Sequence, residues 1–405
     1  MKKHKKFSNY KNKINNFKIF YEFFILGLTS FGGPIAHIAF FRENFVNKKK
    51  WIDEKTFLDI VSFSNFLPGP SSSQVGMCIG FIKKGQIGSF LAWLGFTLPS
   101  AIIMILFALG YLQFNEKIAE GSLRGIKIVV IVIVFQAVFG MCKQFLNNTK
   151  TSLITAFTTI VAFSFNLGSY QFMLIIISGI FGLFLFKEDI VFIQNKLSIK
   201  YKYKYLIYIL LFIILFTTLP ILQNLFDSKY LLIADKFFRT GSLVFGGGHV
   251  VLPLLQNEVL NANLIDQETF IFGYGLAQAI PGPLFTFSGF LGTTLDIGTN
   301  RILSGILCLI MIFMPSFLLV LGLMPYWNFL RSKERVRRCL IGINACVVGL
   351  LIATFLNPVI INTINDVSDF GLLITASILI LLFKFPQWLS VLIMGLAGFV
   401  LNYYF

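Results

Sequence analysis

The amino-acid sequence predicts an all-α integral membrane protein made of two inverted-topology repeats, each with two broken or re-entrant helical hairpins followed by full transmembrane helices. Three observations predict this class. Of the 405 residues, 56% are hydrophobic and only 13% are charged, about half the charged fraction of a soluble protein. Long uncharged segments recur along the chain. Two sets of glycine- and proline-containing motifs also recur in the same order.

The uncharged segments are long enough to cross a bilayer. Residues 88–112, 205–226, 302–330 and 388–404 contain no Asp, Glu, Lys or Arg, and a helix needs roughly 20 such residues to span the hydrocarbon core. Further apolar segments near 128–141, 153–167 and 170–186 predict additional membrane helices. The chain is therefore expected to be a multi-pass membrane protein.

The charge pattern and the cysteines exclude several other classes. The net charge of +16 comes from short Lys and Arg clusters between apolar segments, which is typical of cytoplasmic loops rather than of a nucleic-acid-binding surface. The five cysteines lack CxxC spacing and only three histidines occur, so neither a metal site nor a cofactor is expected. No small-residue cleavage site follows the lysine-rich start, so we expect no cleaved signal peptide.

The chain contains an internal repeat. Phe31-Gly32-Gly33 recurs as Phe245-Gly246-Gly247, Leu67-Pro68-Gly69-Pro70 as Ile280-Pro281-Gly282-Pro283, and Pro99-Ser100 as Pro315-Ser316. Ordered matches of this kind predict a duplicated architecture. We divide the chain into a basic cytoplasmic tail (1–19), a first repeat (20–204), a linking transmembrane helix (205–229) and a second repeat (230–405).

The segments around these motifs are too short to cross a membrane. Residues 56–67 would form a helix of about 18 Å before Pro-Gly-Pro ends it, and residues 20–30 and 34–45 flank Phe-Gly-Gly in the same way. Irregular backbone at membrane depth is tolerated where it lines a cavity or is buried in protein. Each pair therefore predicts a re-entrant hairpin or a broken helix.

The loop charges predict that the repeats are inverted. Basic loops at 42–55, 83–84, 187–204 and 331–338 all fall on one side of the proposed topology, whereas loop 257–268 has three acids and no base. The positive-inside rule then places the N-terminus and the basic loops in the cytoplasm. Inverted repeats with interrupted helices are typical of secondary transporters, and we expect this one in the plasma membrane.

Interrupted helices in inverted repeats place a substrate site near the midplane. Prolines favour the first turn of a helix, glycines allow close backbone approach, and each helix start offers free N–H groups and about half a positive charge. Such a site suits an oxyanion. The predicted substrate-binding residues are the breaks and the polar residues beside them: Gly32, Gly33, Pro34, Gly69, Pro70, Ser71, Ser72, Gln74, Gly246, Gly247, Gly248, Gln278, Gly282, Pro283 and Thr286, with Ser73 as a further hydroxyl.

Each of these features also has a structural interpretation. A single Pro or Gly break often only kinks a membrane helix, and serines often bond back to their own helix. His37, His249 and Arg239 are candidates for substrate charge or proton coupling. Hydrogen-bonded structural histidines and an interfacial arginine are the alternatives.

At these motifs the sequence resembles the chromate ion transporter family in its two-domain form. The first motif region reads Gly27-Leu28-Thr29-Ser30-Phe31-Gly32-Gly33-Pro34 and then Leu67-Pro68-Gly69-Pro70-Ser71-Ser72-Ser73-Gln74. The second reads Phe245-Gly246-Gly247-Gly248-His249 and then Ala277-Gln278-Ala279-Ile280-Pro281-Gly282-Pro283. The resemblance implies efflux of chromate, or transport of a related tetrahedral anion such as sulfate.

The expected partners are therefore an inorganic oxyanion, the lipid bilayer, and a coupling ion that is either a proton or a counter-anion, with a homodimer as a candidate assembly. The alternative is a carrier or channel for a different anion or small solute with the same fold. A membrane-embedded enzyme is disfavoured, because neither an HExxH motif nor paired buried carboxylates occur.

Overall fold

A computed structural model describes residues 14–113, 116–165, 171–186, 203–245, 251–260, 262, 264–295, 300–330, 333–361, 363–364 and 366–404. Within these ranges the chain is helical and contains no strand. Five helical segments are long and apolar enough to cross a membrane, at Ser71–Tyr111, Gly121–Phe145, Tyr203–Phe226, Arg301–Leu330 and Glu334–Asn357. The predicted all-helical, multi-pass membrane class is confirmed.

The described residues of the first half form seven α-helices. They are α1 (Asn16–Thr29), α2 (Gly33–Phe41, continued by a π-helical turn to Lys48), α3 (Glu54–Phe66), α4 (Ser71–Tyr111), α5 (Glu116–Phe145), α6 (Thr149–Ser164) and α7 (Gln171–Leu185). Helix α8 (Leu206–Phe226) follows and leads to the second half.

The second half repeats this order with more interruptions. Its helices are α9 (Lys229–Leu243), α10 (Val251–Leu260), α11 (Gln267–Ala279), α12 (Phe287–Thr294, preceded by the 3-10 turn Leu284–Thr286), α13 (Arg301–Leu323), α14 (Trp327–Leu330), α15 (Glu334–Thr354), α16 (Val367–Ser377) and α17 (Gln387–Tyr404).

The same local chemistry starts equivalent helices in the two halves. Asp53 is the N-cap of α3 and its side chain accepts a hydrogen bond from the Thr56 N–H at 2.7 Å. Asp266 caps α11 through the Thr269 N–H at 2.8 Å. An aspartate in this position satisfies one of the N–H groups left free at a helix start. The motif recurrence therefore reflects a recurrence of backbone structure.

Helix α4 is kinked at a position where the second half has two separate helices. Lys84 and Gly85 depart from helical geometry, and Gly85 has a φ of 64°. The kink divides α4 into a short stretch that begins at Ser71 and a long, apolar stretch that ends at Tyr111. In the second half, α12 and α13 occupy the corresponding positions in the sequence.

Late helices of each half pack against helices of the other half. Helix α5 of the first half packs against α16 and α17 of the second, and α15 of the second half packs against α6 and α7 of the first. Glycines permit both crossings, because a Cβ at Gly125 would overlap the Met394 carbonyl and one at Gly342 would overlap the Ser178 carbonyl. Small residues let membrane helices approach closely. Each half is thereby completed by the other.

An apolar surface surrounds this core. Only 6% of the most apolar stretch of α8 is buried, and Ile160 on α6, Phe184 on α7 and Leu225 on α8 are exposed large hydrophobic side chains. Such a surface is unfavourable in water and suits contact with lipid.

Candidate functional site

Three of the four predicted breaks lie within the described residues. Helix α1 ends at Thr29 and α2 begins at Gly33, with φ values of 99° at Gly32 and 76° at Gly33. Gly69 separates α3 from α4 with a φ of 118°, and Gly282 follows α11 with a φ of 99°. Positive φ is strained for residues that carry a Cβ. The fourth break, with Gly246, Gly247, Gly248 and His249, lies outside the described residues.

The breaks of the two halves meet through a reciprocal pair of backbone hydrogen bonds. The N–H of Gly69 donates to the carbonyl of Val244 at 2.6 Å, and the N–H of Gly282 donates to the carbonyl of Ser30 at 2.9 Å. Ser30 is the C-cap of α1 and Val244 is the C-cap of α9. We call the region around these four residues the break junction.

Two serines pack against the junction glycines in the same reciprocal way. A Cβ at Gly69 would overlap the Ser316 hydroxyl, and a Cβ at Gly282 would lie 2.7 Å from the Ser100 hydroxyl oxygen. Ser100 and Ser316 each follow the proline inside a long helix, α4 or α13. The glycines therefore let the backbone of one half approach a hydroxyl of the other.

Several polar atoms at the start of α4 have no hydrogen-bond partner among the described residues. The Gln74 N–H donates to the Pro70 carbonyl at 3.0 Å, whereas the N–H groups of Ser71, Ser72 and Ser73 have no partner among the described residues, and no side chain caps the helix. The Ser73 hydroxyl and Gln74 Oε1 also have no partner there. Both residues are buried, at 2% and 0% exposure.

Two side chains reach into this start of α4 from either side. Gln74 Nε2 donates to the Pro68 carbonyl at 2.6 Å and to the Ser316 hydroxyl at 3.1 Å. His37 on α2 lies 3.1 Å from the Ser30 carbonyl through Nε2 and 3.3 Å from the Ser72 hydroxyl through Nδ1. Because a carbonyl only accepts, Nε2 carries the proton and Nδ1 accepts from Ser72. His37 thus contacts both Ser72 and the junction.

The corresponding start in the second half is less polar. Pro283 is followed by Leu284 and Phe285 in a 3-10 turn, and the Thr286 hydroxyl donates to the Pro283 carbonyl at 2.9 Å. Across this break, Gln278 is 7% exposed and its Nε2 has no partner among the described residues. Within the described residues, the start of α4 therefore carries more unpaired polar groups than the start that follows Pro283.

Arg239 is engaged away from the junction. Its guanidinium donates to Asp235 Oδ1 at 3.0 Å on the same helix and lies 5.6 Å and 5.4 Å from the ring centroids of Phe172 and Phe216. These are an i,i+4 ion pair and two cation–π contacts. None of these three contacts involves another predicted site residue within the described part of the chain.

Ser30, Ser100 and Ser316 are junction residues that the sequence analysis did not single out as ligand contacts. The recurrence of Pro99-Ser100 as Pro315-Ser316 in repeat register was the signal that could have identified two of them. Two clefts lie elsewhere, lined mostly by apolar residues of the 368–401 region. No group of three or more His, Cys, Asp or Glu side chains suited to a metal occurs in the described part of the chain.

Comparison with known families agrees with the duplication. The profile of a family described as chromate transporter matches the chain twice, at residues 17–183 and at residues 231–399. The second match begins 214 residues after the first, which is also the spacing of the two Phe-Gly-Gly motifs. The chain belongs to the chromate transporter family. The resemblance noted in the motifs is thereby confirmed.

Relatives of this chromate transporter family member align along nearly its whole length. It is 30% identical to the uncharacterized transporter MJ0718 of Methanocaldococcus jannaschii, over 96% of this chain and 94% of the relative. It is 25% identical to the chromate transport protein of Pseudomonas aeruginosa, over 95% and 92%. It is 24% identical to a probable chromate transport protein of Synechococcus elongatus, over 93% of each. No solved structure matches the chain.

Proposed function

We propose that this chromate transporter family member is a secondary carrier that binds chromate, or a tetrahedral oxyanion such as sulfate, at the break junction. The start of α4 supports this proposal most directly. Three N–H groups and the Ser73 hydroxyl, all without a partner among the described residues, lie within one helical turn, next to the point where the two halves bond to each other. Buried polar groups are normally paired, so a group of unpaired donors indicates a place for a polar ligand.

The chemistry of such a site fits an oxyanion. A helix start contributes about half a positive charge together with N–H donors, and a tetrahedral oxyanion presents four oxygens that accept hydrogen bonds. No lysine or arginine has to be buried at the membrane centre, where each charge would cost several kcal/mol. Substrate binding by Gly32, Gly33, Pro34, Gln278, Pro283 and Thr286, and by the undescribed fourth break, remains part of this proposal.

The two-fold exchange of contacts supports an inverted-repeat carrier with re-entrant breaks. Gly69 bonds to Val244 as Gly282 bonds to Ser30, and these are corresponding positions of the two repeats. Reciprocal contacts between equivalent positions are expected of a two-fold relation. With the basic loops on one side, this relation gives opposite orientations in the membrane and a cytoplasmic N-terminus. Alternating access would then be movement of one half against the other.

Flux into proteoliposomes tests the proposal. Purified protein should transport chromate with a rate that saturates, and a large excess of sulfate should reduce that rate. Ser73→Ala should raise the KM for chromate about tenfold, because a hydrogen bond to a charged group contributes about 1.5–3 kcal/mol. Ser152→Ala on α6, where the exposed hydroxyl bonds its own helix, is the matched control and should transport normally.

The outcomes separate the candidate functions. A conductance that rises linearly with concentration would indicate a channel, and saturable flux of an unrelated solute without chromate or sulfate flux would indicate a different substrate. Efflux as the direction, a proton or counter-anion as the coupling ion, a homodimer and the plasma membrane remain predictions from the sequence.

A further inference from the structure

The amide of Gln74 has a defined orientation at the break junction. Its Nε2 lies 2.6 Å from the Pro68 carbonyl oxygen and 3.1 Å from the Ser316 hydroxyl. Rotating the amide by half a turn would place Oε1 against the Pro68 carbonyl, with two acceptors in contact and no proton between them. The nitrogen must therefore face Pro68.

The consequence is a buried acceptor at the proposed site. Gln74 Oε1 has no hydrogen-bond partner among the described residues, and the side chain is 0% exposed. An acceptor left unpaired in such a place is costly. Because Oε1 can only accept, a ligand that satisfies it must present an O–H or N–H group.

A fully ionised tetrahedral dianion has no such group. Chromate or sulfate as XO4 with two negative charges presents acceptors on every side, so one of its oxygens would be repelled by Oε1. A monoprotonated oxyanion has both kinds of group. Its hydroxyl donates to Gln74 Oε1, and its charged oxygens accept from the N–H groups and the hydroxyl at the start of α4.

We infer that the break junction selects the monoprotonated form of its oxyanion, hydrogenchromate rather than chromate, through the acceptor oxygen of Gln74. This inference rests on the proposed function and adds the protonation state of the substrate. Chromate takes up a proton near neutral pH, whereas sulfate remains a dianion until strongly acidic pH. The site is therefore expected to prefer chromate over sulfate, and the preference should grow as pH falls.

Other titratable groups lie on α4 and on the helices that pack against it, and the experiment must separate them from the ligand. Within the described residues these are Lys18, Tyr21 and Glu22 on α1, His37 on α2, Glu54, Lys55 and Asp59 on α3, Cys78, Lys83, Lys84 and Tyr111 on α4, Glu268 and Tyr274 on α11, and Arg301 and Cys308 on α13. Of these groups, His37 contacts the start of α4 directly, through the Ser72 hydroxyl at 3.3 Å.

The test measures initial chromate uptake into proteoliposomes at fixed membrane potential and subsaturating total chromate, from mildly acidic to mildly alkaline pH. We expect the rate to follow the concentration of hydrogenchromate, with a loss approaching tenfold for each pH unit on the alkaline side. Sulfate should compete weakly throughout. A rate that follows total chromate, or sulfate competing as well as chromate at alkaline pH, would overturn the inference while leaving the carrier proposal intact.

Three variants show whether the pH dependence of flux arises from the ligand bound at Gln74 or from the imidazole of His37. In Gln74→Met, which keeps the length of the side chain and removes the acceptor, the residual flux should lose its pH dependence. In Ser73→Ala the flux should fall and keep the dependence. His37→Gln should also keep it, and a flat profile in that variant would assign the proton to the imidazole and refute the inference. Absence of saturable oxyanion flux at every pH would instead reject the proposed function.

Discussion

At the scale of single residues, Gly69 and Gly282 combine two requirements that no other residue type meets. Both have a positive φ, and both bring the backbone against a serine of the opposite half, Ser316 or Ser100. A Cβ would cost about 1–2 kcal/mol in backbone strain alone and would also push the halves apart. These two glycines are the positions where the junction is most sensitive to one added carbon.

The first prediction follows for Gly69→Ala and Gly282→Ala. Each should reduce chromate flux at least tenfold per inserted molecule, because the reciprocal hydrogen bonds to Val244 and Ser30 would lengthen. Gly85→Ala is the control for strain alone, since Gly85 has a positive φ but nothing within 4 Å of an added Cβ. Junction variants that transport as well as Gly85→Ala would contradict the role of close approach.

A second residue-scale prediction concerns Arg239. Its partner Asp235 is buried, with a side chain 6% exposed, so Arg239→Gln leaves an unpaired buried carboxylate and should lower stability by about 3–5 kcal/mol. Adding Asp235→Asn removes that charge and should restore most of the loss. Thermal unfolding in detergent measures this, and chromate KM should stay near that of the natural sequence in the double variant. A large rise in KM there would instead support a substrate-binding Arg239.

At the scale of elements, the two helix crossings that join the halves depend on the absence of side chains. Gly125 on α5 meets the Met394 carbonyl of α17, and Gly342 on α15 meets the Ser178 carbonyl of α7. Neither helix could approach its neighbour as closely with a larger residue. Both helix crossings between the halves therefore depend on a glycine that lets the two backbones approach closely.

We predict that Gly125→Val and Gly342→Val destabilise the protein by about 1–3 kcal/mol each, the usual cost of overpacking. Gly140→Val is the control. Gly140 lies on the same helix as Gly125, but a Cβ added at Gly140 meets nothing within 4 Å, so this substitution should be tolerated. Yield of folded protein and its melting temperature in detergent are the measurements. Equal losses in all three variants would indicate a general cost of valine in these helices rather than the crossings.

At the scale of the whole molecule, charge is distributed as an inverted duplication requires. The corresponding positions Glu22 and Lys236 carry opposite charges, and each is paired within its own half, Glu22 with Lys49 and Lys236 with Glu258. The loop after Glu258 is acidic, whereas the loop around Lys49 is basic. Opposite charge at equivalent places is expected if the two places face opposite sides of the membrane.

The topology prediction is tested by labelling single cysteines introduced at Ala262 and at Lys333. Cys142 and Cys339, the two native cysteines that are not fully buried, are first replaced by serine. A membrane-impermeant thiol reagent applied to right-side-out vesicles should modify Ala262→Cys but not Lys333→Cys, and inside-out vesicles should give the reverse. Labelling of both from one side would reject the inverted arrangement.

Much of this architecture could be predicted without coordinates, because its signals are local. Hydropathy predicts the spans, and the positions of Gly32, Gly69 and Gly282 predict helix breaks, because their backbone preferences do not depend on distant partners. Of the five described glycines with positive φ, all but Gly85 lie in the motifs. Aspartate caps at Asp53 and Asp266 are likewise readable from a few neighbouring residues.

The sequence by itself determined a duplicated, multi-pass helical membrane protein with paired glycine breaks, since hydropathy, helix ends and motif recurrence are written within short stretches. Only the tertiary structure decided which helix ends meet and that Gln74 hydrogen-bonds to Ser316, 242 residues away in the sequence. It also decided that Arg239 forms an ion pair with Asp235. These contacts arise when helices distant in sequence pack together, and local backbone preferences do not specify which partner a polar side chain finds.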